Sequence, residues 1–235
     1  MQKSIYLDAL GYDVVIARRK GTRSIRIAIK SDGTIRLTVP FVVSEKRALQ
    51  FLEEKSAWIK QHHKKPVMLE PGIHIGKSHR LVFENSDIKD IKTRLGNNTV
   101  TIKLPQGISW SDTNAQTKAR KAAEKALRKE AETLIPQRLK TLASQHGIVY
   151  KSSSIKKLKS RWGSCDSNKN IVFNMYLIQL DWNLIDYVIL HELTHTIHQH
   201  HQSEFWSYLE GLQPDYKSRR KELKQMPTDI LPTKF

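Results

Sequence analysis

Apolar and polar residues alternate over two short stretches near the start of the chain. Ile25, Ile27 and Ile29 share one face, as do Ile35, Leu37 and Val39, with Ser31-Asp32-Gly33 between them. A period of two on both sides of a Gly-containing turn predicts a β-hairpin. From Ser44, an N-cap residue type, the spacing of Ala48, Leu49, Leu52, Trp58 and Ile59 becomes that of a helix, which Pro66 ends. Strand-like runs return over residues 73–75, 79–83, 88–94 and 99–104, punctuated by Gly76 and by Gly96-Asn97-Asn98. Residues 1–110 therefore read as a β-rich amino-terminal region with one helix.

Around Ser111 to Thr113 the composition shifts to Ala, Lys, Arg and Glu, and a long helical pattern runs toward Gly147, with Pro136 as a kink or break. This shift predicts a domain boundary, with residues 111–235 forming the second part. Strand candidates follow at 149–158 and 170–174. A helix then starts near Asp181 and carries Leu184, Ile185, Val188, Ile189, Leu193 and Ile197. The fold class expected is α+β, a β-rich part followed by a compact α+β part. No internal repeat or low-complexity tract argues for a solenoid.

Composition changes this picture in two ways. With 39% hydrophobic residues the chain can build a core, and 40 Lys plus Arg against 23 Asp plus Glu give it a net charge of +17, which favours acidic partners. Residues 1–110 hold 20 basic and 10 acidic side chains. Lys118, Lys121, Lys125 and Arg128 recur at helical spacing, and Lys156, Lys157, Lys159 and Arg161 add charge nearby. This pattern reads either as a phosphate-tracking surface or as a solvated helix face beside Glu124, Glu130 and Glu132. No nucleic-acid recognition motif accompanies it, so binding there would be non-specific. The single cysteine, Cys165, and an amino terminus without a long apolar stretch predict a cytoplasmic protein. No segment approaches the roughly 20 apolar residues of a membrane span.

The chemistry concentrates in HELTHTIHQHHQSEFW, residues 191–206. His191 and His195 lie four apart on the predicted helix, so one face presents both imidazoles, which can take two corners of a zinc tetrahedron. Glu192 then stands beside the metal, placed to deprotonate a metal-bound water as general base. With 10 His and 12 Glu in 235 residues, about 0.02 such HExxH patterns are expected by chance. The bland alternative is an amphipathic helix whose histidines are solvated or packed in the core. Spacing leaves the third ligand open among His198, His200, His201, Glu204 and Glu210. The metzincin spacing matches His201 but has a Gly where this chain has His198.

Several blocks together resemble the YgjP-like metallopeptidase family, a zincin-type group more distantly related to the WLM and SprT-like proteases. They are KSRWGSC at 159–165, the strand at 171–174, IDYVILHELTH at 185–195, His201 followed by Phe205-Trp206, and Pro214-Asp215-Tyr216 with the basic helix after it. Weaker similarity extends to residues 18–30 and to Trp58-Ile59. The resemblance implies a zincin-like catalytic part with an HExxH active-site helix, a Zn2+ ion on His191, His195 and His201, Glu192 as the base, and a protein or peptide substrate. One position departs: Gln202 follows the third His where the family often has Ser, and His200 is the alternative ligand.

In the RWGSC block, Arg161 reads as an anion clamp and Cys165 as a fourth, inhibitory zinc ligand. The other reading is structural, with Trp162 packed on the active-site helix, Gly163 in a tight turn and Cys165 a small buried residue. Phe205 and Trp206 are expected as core anchors. Asp186 reads as an acceptor for a ligand imidazole or as a helix-surface carboxylate. Tyr176, Tyr187, His198 and His200 are the available oxyanion donors. The functional expectation is a zinc metallopeptidase; its rival is a basic nucleic-acid-binding protein with a structural or vestigial zinc site.

Overall fold

The computed structural model describes residues 2–7, 12–29, 33, 35–63 and 68–228. Contacts divide the chain into two units, Met1–Val67 and Met68–Phe235. In the first, β1 (Gln2–Leu7), β2 (Tyr12–Arg19), β3 (Arg26–Ile29) and β4 (Ile35–Pro40) form a sheet of order β1-β2-β4-β3, in which β2 and β4 are parallel. The predicted hairpin is there: β3 and β4 pair antiparallel, with Ile27 opposite Leu37 and Ile29 opposite Ile35. Gly33 takes φ +77°, while Ser31 and Asp32 of its turn lie outside the described residues. Ser44 caps the next helix, its Oγ accepting the Arg47 N–H at 3.2 Å.

The single helix expected after Ser44 is two, α1 (Glu45–Glu54) and α2 (Ser56–His62), separated at Lys55. Pro66 lies outside the described residues. Ala48, Leu52 and Ile59 of these helices share a core with Val14, Ile16, Ile35, Leu37 and Val39 of the sheet. This is the burial that alternation in the strands and helical spacing afterwards prepare.

The second unit has two small sheets and four helices among the described residues. β5 (Arg80–Ser86), β6 (Lys92–Leu95) and β7 (Thr99–Pro105) form one sheet, with β7 central. Of the run at 73–75, only an isolated bridge from His74 to Arg80 forms. α3 (Thr113–Gln145) follows. Then β8 (Ser152–Lys156), β9 (Gly163–Cys165) and β10 (Asn170–Asn174) form the other sheet, with β10 central, parallel to β8 and antiparallel to β9. A 3₁₀ turn at Met175–Gln179 leads into α4 (Trp182–Thr194), α5 (Ser203–Leu212) and α6 (Tyr216–Leu223). The mixed architecture is α+β, as expected.

Two expectations need correction. α3 runs uninterrupted through Pro136, a span of about 50 Å. The proline forfeits one backbone bond, but Leu139, Leu142 and Ala143 beyond it are buried, and this packing carries the helix past it. The expected boundary at 110/111 falls inside the second unit. Ala115, Ala119, Ala123 and Leu127 of α3 share one core with Val100, Ile102 and Leu104 of β7 and with α4, so the strands before 110 belong with the helices after it.

α4 is the most buried helix of the unit. From Leu184 to Thr196, only Asp186, His191 and His195 escape full burial. A helix apolar on nearly all sides sits in the core, and here the solvent-reaching positions include both motif histidines. No helix among the described residues is long and apolar enough to cross a membrane.

Candidate metal centre

α4 ends at Thr194. The hydroxyls of Thr194 and Thr196 donate back to the carbonyls of Leu190 and Leu193, each at 2.8 Å, closing the last turn. The chain then reverses through residues 195–202 without any positive φ, so the glycine of the metzincin pattern is not needed. His201, just before α5, is carried back over α4. Its Nε2 lies 3.0 Å from Nε2 of His191, and ligand atoms of His191, His195 and His201 all lie within 4.8 Å of one another.

Zinc–nitrogen bonds of about 2.0–2.1 Å in a tetrahedron put two ligand nitrogens about 3.3 Å apart. The cluster has that scale. The Nδ1–H of His195 donates to the His198 carbonyl at 3.2 Å, which leaves Nε2 as the atom that could ligate a metal. Burial is the first cause lowering the pKa of all three rings. His191 is pushed down to about 3, helped by His195, His201 and Arg220, and His195 and His201 move the same way. All three are therefore neutral at pH 7, the state a metal requires.

Aromatic packing fixes His201. Phe205 is fully buried, with its ring 4.6–4.9 Å from all three imidazoles. The Trp206 indole N–H donates to the His201 carbonyl at 3.2 Å, and the ring stacks on His201 and Tyr216. The expectation of core anchors describes both residues. Arg220 of α6 lies over Trp206, 4.3 Å from the ring centroid.

Glu192 is 5% exposed, and its Oε2 has no hydrogen-bond partner. Burial raises its pKa to about 8, against the opposing pull of Arg161. Gly163 lies against it: a Cβ there would stand 2.6 Å from Oε1 and 2.8 Å from Cγ. The tight-turn reading of Gly163 is thereby corrected. The residue is in strand β9, and the missing side chain is the space that the carboxylate fills. A cavity of about 200 Å³ opens beside it, lined among others by Arg161, Trp162, Tyr187, His191 and Leu223.

The remaining candidates separate clearly. Tyr187 lines the cavity, and burial pushes its pKa up to about 12, so its phenol stays a donor. The Tyr176 hydroxyl donates instead to Glu124 at 2.9 Å. His198 packs on Tyr208, and His200 is exposed; neither joins the cluster of potential ligands among the described residues. Glu204 and Glu210 are engaged by Ser203 and Lys217. Asp186 serves neither the metal nor the helix surface. It takes a bidentate bond from Arg138 at 2.6 and 2.7 Å, tying α4 to α3. Cys165 is half-buried, outside the cluster, and burial raises its thiol to about 11. Sequence reasoning missed the approach of Gly163 to Glu192 and the placement of Arg220, because both depend on contacts distant in the chain.

The sequence profile of the YgjP-like metallopeptidase domain matches residues 23–226. No curated protein matches the chain. Among solved structures it is similar to the metallopeptidase zymogen of Pyrococcus abyssi abylysin, at 19% identity and a TM-score of 0.37, over 39% of this chain and 93% of that one.

Proposed function

We propose a zinc-dependent peptidase, reasoning from the fact that this chain belongs to the YgjP-like metallopeptidase family. His191, His195 and His201 hold the ion, and Glu192 is the general base. The observation that carries this reading is the convergence of three neutral imidazoles beside a buried carboxylate with an unpartnered oxygen. A zinc ion held there would supply Lewis-acid chemistry, polarising a carbonyl and making a water more acidic. A cation held by the three imidazoles would favour the deprotonated form of Glu192 against the effect of burial, and in that form Glu192 accepts the proton of the attacking water and delivers it to the leaving amine. Tyr187 donates its O–H to the oxygen that gains charge.

The cavity beside Glu192 provides room for the reacting carbonyl. β9 pairs only with β10 among the described strands, which leaves its other edge to take an extended peptide by strand addition. The rival reading, a nucleic-acid-binding protein with a structural zinc, is less well supported. Structural zinc sites close with four protein ligands, whereas three are gathered here and a cavity adjoins them.

The test is metal content and peptide hydrolysis measured together on the parent, His201→Ala, His200→Ala and Glu192→Gln. The proposal expects about one zinc per chain, lost only in His201→Ala, and hydrolysis lost in His201→Ala and Glu192→Gln. Zinc loss in His200→Ala with retention in His201→Ala would overturn the ligand set. Full hydrolysis by Glu192→Gln would remove the base.

A further inference from the structure

The strand register of the amino-terminal unit sorts its side chains onto two faces. Val14, Ile16, Ile35, Leu37 and Val39 join the core with α1 and α2. The register pairs on the opposite face are Val15 with Arg36, Ala17 with Thr38, Arg26 with Thr38, and Ala28 with Arg36, while Arg19 lies beside Pro40. Strand alternation thus puts Arg19, Arg26 and Arg36 together on the face that α1 and α2 leave uncovered. After β2, Gly21 at φ +76° turns the chain, and Lys20 and Arg23 join the same rim. The result is a cavity of about 440 Å³ ringed by Arg19, Lys20, Arg23 and Arg26, with the hydroxyls of Thr22 and Thr38 in its lining.

Charge is concentrated here. Residues 1–67 hold 14 basic and six acidic side chains, about half of the net +17 on little more than a quarter of the chain. Between Val14 and Val43 there are seven basic residues and one acidic residue, Asp32. Arg18 has a structural use, its guanidinium donating to the carbonyls of Phe41 and Val43 at 3.2 and 2.7 Å. The four rim cations form no salt bridge among the described residues, and Arg26 reaches only Ser24 Oγ at 3.5 Å.

The stripe on α3 contrasts with this. Lys118 donates to the Ile91 carbonyl at 2.7 Å, Arg128 has Glu132 at 3.7 Å, and Glu124 on the same helix holds Lys157 at 2.7 Å. That stripe is partly engaged by the protein's own acceptors.

We propose that the uncovered face of the amino-terminal sheet binds the phosphodiester backbone of nucleic acid. Three of the four rim cations are arginines, whose planar fork matches phosphate oxygens bidentately, and two hydroxyls supply further donors. Among the described residues, no acidic side chain lines the cavity to repel a polyanion, and no aromatic ring lines it to stack a base. The face therefore contacts backbone and does not read sequence. It is built from residues of the amino-terminal unit alone, whereas the metal centre belongs to the other unit, so the inference stands or falls independently of the peptidase.

The test is fluorescence anisotropy of a labelled 20-base-pair DNA duplex with the full chain across a salt series. Arg19→Gln/Arg23→Gln/Arg26→Gln should weaken binding about tenfold or more at 0.1 M salt, and should flatten the slope of log K against log [salt] by about two to three, since each phosphate neutralised contributes about −0.9. The matching Lys triple should retain the slope. Lys121→Gln/Lys125→Gln/Arg128→Gln should stay within about twofold of the parent. Arg23→Gln alone, in the exposed turn, repeats the test with a smaller expected loss should the triple variant not fold. A parent that does not bind, a slope unchanged in the sheet variants, or polyglutamate competing as well as unlabelled duplex would each overturn the proposal.

Discussion

Two glutamates in this protein occupy similar settings and meet opposite fates. Glu130 on α3 and Glu192 on α4 are 6% and 5% exposed. Each lies against a glycine, Gly76 and Gly163 respectively, where an added Cβ would collide with the carboxylate. Glu130 is saturated. It accepts the backbone N–H groups of Lys77, Ser78 and His79 at 2.5, 3.1 and 3.0 Å, and the His79 ring as well. Glu192 Oε2 has no partner. A buried carboxylate with a full set of donors is an anchor, fastening the loop at 76–79 to α3. One left short of donors is held at a cost in stability, and it retains the capacity to bind a proton and give it up.

The largest expected effect tests that distinction on the reactive side. Glu192→Gln should cut peptide hydrolysis by a factor of about 10² to 10⁴ and leave the melting temperature at or above the parent's, because nothing in the fold depends on its charge. On the anchoring side, Glu130→Ala should cost about 3 kcal/mol, read from the denaturant midpoint, while zinc content per folded chain stays the same. If Glu130→Ala lost zinc without losing stability, or Glu192→Gln unfolded the protein, the roles would be reversed.

How far the sequence foretold these roles depends on the range of the contacts involved. The strand at 170–174 has the bounds expected of it, Ser44 caps its helix, and HELTH lies on α4 near its end. All are decided within a few residues. His201, the proposed third ligand, was legible through family resemblance only, since helical spacing also offered His198 until α4 stopped at Thr194. The unbroken course of α3 past Pro136, the split at Lys55 and the unit boundary at Val67–Met68 depend on packing between segments far apart in sequence. The same is true of the two glutamates. The HExxH pattern marks Glu192 as a base and Glu130 reads as part of a solvated face, but only the segments folded against them, residues 76–79 and β9, leave one carboxylate saturated and the other short of donors.

The glycines should separate the same way with a smaller effect. Gly163→Ala would put a methyl group 2.6–2.9 Å from the Glu192 side chain. Displacing a base by about 1 Å can cost up to about 10²-fold in rate, so hydrolysis should fall by about 10- to 100-fold with only a modest loss of stability. Gly76→Ala should do the reverse, lowering stability by about 1–3 kcal/mol through overpacking against Glu130 and sparing the rate per folded molecule. Equal activity in Gly163→Ala and its parent would mean that β9 does not position the base.

The smallest effect is a pH dependence of stability in chelator-treated, metal-free protein. Its sign follows from proton uptake. Glu192 is raised from 4.5 to about 8, so between those values the folded state keeps a proton that the unfolded state has released, and stability falls as pH rises. His191 is lowered from 6.5 to about 3. Between those values the unfolded state binds the extra proton, so stability rises with pH. From 4.5 to 6.5 the two trends oppose, and from 6.5 to 8 Glu192 acts without His191. The melting temperature of the metal-free parent should therefore drop by a few degrees between pH 6.5 and 8, while Glu192→Gln stays level over the same window. Glu130→Gln, if it folds, should retain the parent's decline, because the decline originates at the unpartnered carboxylate. A level parent, or a Glu192→Gln variant that declines as steeply, would show that the burial of Glu192 has no energetic cost and would dissolve the contrast between the two glutamates.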